Sequence, residues 1–212
     1  MFFPIHNSRM QKWFKEVMGE QCNHRVSLPD GYGEIHVPQV SFNVIYILSH
    51  LYRHIFTEGI GLRQLLDYYF VLVKWHTDLT NLTDSNKSLP QMTEINTDLD
   101  ALRHKLKNLG LWKFAQAVMF VMKEVFGLSE DRMIAPMDER EGRFLLDEIM
   151  RGGNFGQYDD RMGSKVGESQ IHRYFRMNLR NLRFVKHYPT EALSEPLFRT
   201  WFAVWKKIHG IK

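Results

Sequence analysis

The sequence predicts an all-α fold, a compact bundle of about seven helices with a short β-hairpin near residues 26–37. Three observations predict it. Apolar residues recur at intervals of three and four through most of the long segments, the period of one helix face. Glycine and proline punctuate those segments at Gly59, Gly61, Gly110, Gly127 and Pro189. One stretch alone, Glu34 to Val37 between Gly33 and Pro38, reads as extended.

Each element follows from its residues. Residues 7–18 start with a cap at Asn7 or Ser8 and repeat Met10, Trp13, Phe14 and Val17 at helical spacing. The run LPDGYGEIHVPQ then supplies turn chemistry and the extended piece. Ser41 opens SFNVIYILSHLYRHIF, apolar almost all round and therefore expected to be a central, buried helix. Gly59 and Gly61 end it, and LRQLLDYYFVLVKWH starts the next. Residues 77–97 are polar, with one proline, and read as a long loop. Helices at about 98–108 and 111–126 follow, separated by Gly110 and closed by Gly127. Asp138 starts DEREGRFLLDEIM, the glycine-rich run RGGNFGQYDDRMGSKVG reads as an exposed connection, and helices at about 168–187 and 191–208 finish the chain around Tyr188-Pro189.

A chain of 212 residues can bury a core of its own, and residues 1–212 read as one helical domain. Hydrophobic residues at 44% and aromatics at 13% exclude a disordered protein. A net charge of +4 is too mild to demand nucleic acid. The lone Cys22 permits no internal disulfide, which fits a reducing compartment. The start MFFPIHNSRMQKWF lacks the pattern of a signal peptide, and no stretch has the length of a membrane span. A cytoplasmic protein with no membrane partner is the expectation.

Three motif matches carry no chemistry. GGNFGQYDDRMGSK holds glycines and a lysine but lacks the phosphate-loop spacing and a preceding apolar strand. Asp98-Leu-Asp100 has a spacing that suits a metal on a strand, but it is expected to open a helix, where acids complement the dipole. Asn81-Leu-Thr83 matches a glycosylation sequon and has no export signal to give it meaning.

Two features remain. His50 and His54 lie four apart on one helix face, and the glycine break lets the next helix fold back with Arg63 and Asp67. That spacing suits a metal pair with Asp67 as third ligand; it equally suits a hydrogen-bonded core cluster in which Arg63 pairs with Asp67. Lacking a neighbouring Glu or Cys, the pattern is read here without a metal. The second feature is ESQIHRYFRMNLRNLRFVKHYP. Ile171, Phe175, Leu179 and Leu182 form one stripe, and Arg173, Arg176, Arg180 and Arg183 form the opposite one. Four arginines on a ridge suit bidentate contact with phosphates; a solvated face is the plainer reading.

Four blocks in order, GIGLRQLLDYYFVL, FGLSEDRMIAPMDEREGRFLLDEIMRGGNFGQYDDR, RNLRFVKHYPTEAL and PLFRTWFAVWKKIHG, resemble the C-terminal half of a bacterial family of uncharacterised nucleotidyltransferases. HNSRMQKWF resembles the stretch just after that family's catalytic core. The resemblance implies an N-terminal polymerase-beta-like sheet whose carboxylates hold magnesium for a nucleoside triphosphate. No Gly-Ser turn with an Asp-x-Asp strand stands in this chain, and Glu34-Ile-His lies downstream of HNSRMQKWF. The expectation is therefore a helical half whose catalytic domain is not in this chain, inactive alone and holding no cofactor of its own. The resemblance further implies a nucleotide or phosphorylated substrate contacted by Arg63, oriented by Asp67 and supported by His50 and His54, with the arginine ridge as a phosphate site. The alternative is a non-catalytic module whose ridge docks a protein or nucleic acid.

Overall fold

Helical periodicity dominates the folded chain. The structure, a computed structural model, describes residues 8–21, 23–84, 92–152 and 170–210. In order these form α1 (Ser8–Gln21), β1 (Arg25–Ser27), β2 (Glu34–His36), α2 (Val40–Thr57), α3 (Leu62–Asp84), α4 (Met92–Asn108), α5 (Trp112–Phe126), α6 (Glu139–Gly152), α7 (Gln170–Leu182) and α8 (Pro189–Ile208). The all-α expectation holds, and so does the hairpin. Its strands pair antiparallel with Val26 opposite Ile35, across a turn in which Asp30, Gly31 and Gly33 all take positive φ.

Two boundaries differ from the sequence reading. The loop expected at 77–97 is much shorter, because α3 continues to Asp84 and α4 begins at Met92. Leu79 packs against the core, so tertiary contact extends the helix through residues of poor helix propensity. Asp98 and Asp100 consequently sit inside α4, exposed, and do not open it. The second helix starts at Val40 after Gln39, so Ser41 lies within it and is not its cap. The glycine-rich run 153–167 lies outside the described residues, as does Asn7.

α5 is the most deeply placed helix, with Phe114 to Met122 buried except Gln116. It packs closely on α6, where glycine is required: a Cβ on Gly142 would come within 2.3 Å of Phe120 Cβ. Asp138 caps α6, accepting a bond from the Glu141 N–H at 3.0 Å. α2 and α3 pack as a hairpin, with Leu48, Leu65 and Leu72 buried in the core. Within it the buried Tyr68 hydroxyl donates to Val44 O at 3.0 Å.

The opening of α3 turns on the Glu-Gly-Ile-Gly break. Gly59 takes φ 88° and its N–H donates to His54 O at 2.6 Å, ending α2 with the left-handed residue that glycine supplies without strain. The Gly61 N–H then donates to Gln64 Oε1 at 2.6 Å, satisfying an amide at the start of α3. The tight inter-helix turn expected at Gly59 and Gly61 is present.

Near the C-terminus a 3-10 turn at Arg183–Lys186 joins α7 to α8. Phe184 is fully buried there, edge-on to Phe56 at 5.2 Å and to Phe144 at 5.6 Å. Asn181 Nδ2 donates to Phe56 O at 3.0 Å, and Tyr188 packs against Tyr52 at 5.5 Å. Past this joint the anchoring thins: of α8, Ala192 and Glu195 alone are buried among the described residues.

Candidate functional site

The four residues singled out around the glycine break separate onto two faces, with Arg63, Asp67 and His50 exposed and His54 half-buried. Leu65, Tyr68, Leu72 and Trp75 are the buried face of α3. Arg63 and Asp67 fall on the opposite side of that helix and are exposed, and among the described residues no ion pair joins them. The expected Arg63–Asp67 pair directed at the histidines is therefore not formed. His50 and His54 bond to each other instead, Nε2 to Nε2 at 2.9 Å, with Tyr46 stacked beyond His50 and Glu58 3.4 Å from His54 Nδ1. Among the described residues, no three His, Cys, Asp or Glu side chains are grouped to hold a metal ion.

Both histidines are held below the ordinary imidazole range. Desolvation is the main cause for each; the charge of His54 and then Arg53 add to it at His50, while Glu58 opposes it at His54. A lowered folded-state pKa means the unfolded chain takes up protons first as pH falls. The contribution of this pair is thus complete above the ordinary histidine pKa of about 6.5 and is lost as pH drops through it. Between about pH 7.5 and about pH 5.5 the parent should lose more thermal stability than His50→Gln with His54→Gln. Equal losses in the two melting curves would show that the pair is not linked to folding.

The arginine ridge is also altered by folding. Arg183 pairs with Glu148 of α6, its guanidinium lying 5.0 Å over the Phe184 ring, so it faces the body. Arg176 is half-buried on α7, and the side chains of Arg173 and Arg180 lie outside the described residues. The reading of four arginines on one outward ridge is corrected at Arg183.

A polar cluster unforeseen in the sequence lies at the same joint. Glu141, buried on α6, accepts from His187 Nδ1 at 2.8 Å and lies 3.2 Å from Lys113 Nζ. Lys113 Nζ also donates to His187 O at 2.7 Å, and the His187 ring stacks on Phe144 at 3.7 Å. Every charge there has a partner, as burial requires. The cluster ties α5, α6 and the start of α8 together and presents no nucleophile. Residues 74 apart in sequence meet in it, and no local pattern announces such a meeting.

A cleft of about 950 Å³ lies between α1, the hairpin, the start of α2, α3 and α4. Trp13, Phe42 and Trp75 form its aromatic wall, and the Trp13 and Phe42 rings stack at 5.5 Å. Its charged lining is Glu20, Lys74, Asp78, Asp98 and Lys105. Lys74 is paired with Asp78. Lys105 is exposed with no acid against it among the described residues. An apolar interior with a few polar groups at the mouth is the usual make-up of a small-molecule site. None of Arg63, Asp67, His50 and His54 lines it. Trp13 and Trp75 are predicted as helix residues by their spacing; their convergence on one cleft depends on how α1 and α3 cross, which the sequence does not display. Comparison with protein-family models, with curated proteins and with solved structures finds no match.

Proposed function

We propose that this chain is the helical, substrate-side domain of a nucleotidyltransferase-like protein and that the cleft between α1, α3 and α4 receives a nucleotide or similar phosphorylated ring compound. The cleft carries this reading. Its aromatic wall suits a flat base, since every base has a π-face that stacks on indole. Lys105 at the mouth suits a phosphate, as a mobile point charge with three donors. In this reading the cleft takes the place of Arg63, Asp67, His50 and His54 as the binding surface. The alternative module reading, which relies on an outward ridge of four arginines, is weakened by the Arg183–Glu148 pair.

Catalysis is a separate matter. Metal-assisted nucleotidyl transfer needs two or three carboxylates converging on the ions. Asp98 and Asp100 stand exposed along α4, and Asp138 is spent on capping α6. Asp159 and Asp160 lie outside the described residues. The reading therefore expects binding without transfer by this chain alone, with magnesium belonging to the implied catalytic domain.

Titration with nucleoside triphosphates, followed by tryptophan fluorescence, tests it. Saturable quenching should appear and should weaken about tenfold in Lys105→Gln, the loss expected for one charge-assisted contact. Ala101→Trp, which fills the exposed side of the cleft without touching the core, should abolish it. Quenching that survives Ala101→Trp places the ligand elsewhere. No quenching by any nucleotide removes the reading, and pyrophosphate release from triphosphate by this chain alone refutes the division of labour.

A further inference from the structure

We infer that α7 and α8 form a docking surface for a lipid bilayer bearing anionic headgroups. Along α8, Leu193, Leu197, Trp201, Val204 and Ile208 each leave more than half of their surface in water. Steps of four, four, three and four put them on one face of the helix. On α7 the same holds for Phe175, Leu179 and Leu182, again at steps of four and three. Single exposed apolar side chains are ordinary. An exposed stripe of five on α8, with a second of three on the helix it touches, marks an interaction surface.

Charge selects the occupant. Residues 170–212 hold nine Lys and Arg against two Glu, while residues 1–169 hold nineteen against twenty-two Asp and Glu. The mild overall balance thus conceals a strongly basic end on a slightly acidic body. Glu195 is buried and paired with Arg199 at 2.8 Å, and Arg183 is paired with Glu148 of the body, so the other basic residues set the charge of this end. A second copy offering this face would set like charges against one another around the apolar contact. A nucleic acid would match the charge and leave the aliphatic stripe wet. An anionic leaflet matches both properties. Its interfacial region takes Leu, Val, Ile and Trp side chains, and its headgroups attract exposed lysines such as Lys186 and Lys207.

No described helix is long and apolar enough to cross a membrane. A helix lying in the interface needs neither that length nor that uniformity. The expectation of no membrane partner rested on the missing span, so it does not bear on this mode.

Co-sedimentation of the full chain with vesicles tests the inference. Vesicles of two parts phosphatidylcholine to one part phosphatidylserine should bind about tenfold or more tightly than pure phosphatidylcholine, and added salt should erase most of the difference. Leu197→Gln with Trp201→Gln should cut binding by about tenfold while the melting curve stays put, because both side chains are exposed. Lys186→Gln with Lys207→Gln, both exposed, removes charge and should weaken the anionic preference. No binding to the anionic vesicles overturns the inference. So does undiminished binding by either variant pair. A dimer in sedimentation velocity that the Leu197 and Trp201 changes dissolve, with vesicles unbound, assigns the face to a second copy. Retention on an acidic peptide or RNA column with vesicles unbound assigns it to a polyanion.

Discussion

Replacing Phe184 with alanine should cost about 4 kcal/mol of folding stability, whereas Phe175→Ala should stay within about 0.5 kcal/mol of the parent. Both are phenylalanines in the same basic stretch, nine residues apart. Phe184 is fully buried, edge-on to Phe56 and Phe144, in the turn that fixes the end of α7 to α2 and α6. Truncating it removes the transfer energy of a whole ring and leaves a cavity walled by α2 and α6, so collapse is restricted. Phe175 lies 60% exposed. For a domain of this length the Phe184 change should lower the melting temperature by on the order of 10 °C. Similar melting temperatures for the two variants would mean that the joint between α7 and α8 does not sit as described.

The contrast shows what the sequence made legible. Periodicity located nearly every helix, and Gly59, Gly110 and Gly127 marked turns that do take positive φ. These signals are local, acting within one turn of backbone, so they can be read along the chain. Which face of a helix is covered depends on what arrives from elsewhere. Phe175, Leu179 and Leu182 have impeccable spacing for a core stripe, yet each leaves more than half of its surface in water. Phe184, one step beyond that stripe, is the residue that the core takes. Asp67 beside Arg63 has the spacing of an intrahelical pair, but Leu65, Tyr68 and Leu72 claim the buried side and turn both charges to water. The cleft was less legible still. Its walls come from segments sixty residues apart, Trp13 on one and Trp75 on the other, and neither motif nor period connects them. Glu141 and His187, 46 residues apart, meet without a local signal for the same reason.

Arg183 is where the structural and the phosphate-binding readings of the arginine ridge can be separated by measurement. Its guanidinium pairs with Glu148, with 21% and 12% of the two side chains exposed. Removing one partner of a fully buried pair costs about 3–5 kcal/mol, and the residual exposure here should reduce that to about 2–3 kcal/mol. Glu148→Met should therefore destabilise the fold, because it leaves a guanidinium half-desolvated against α6. Arg183→Met should do the same by removing the guanidinium that the Glu148 carboxylate faces. The double change restores neutrality and exchanges both groups for apolar ones of similar volume, so it should be far less costly than the two single losses added together. Polyanion binding gives the second axis. A phosphate ligand lost at Arg183 would lower the salt slope of heparin affinity by about one and spare the melt. The expected pattern is the reverse: Arg183→Met lowers the melt and leaves the slope as it was. A slope reduced by Arg183→Met at unchanged stability would return Arg183 to the ridge and take Glu148 out of the account of how α6 holds the C-terminal helices.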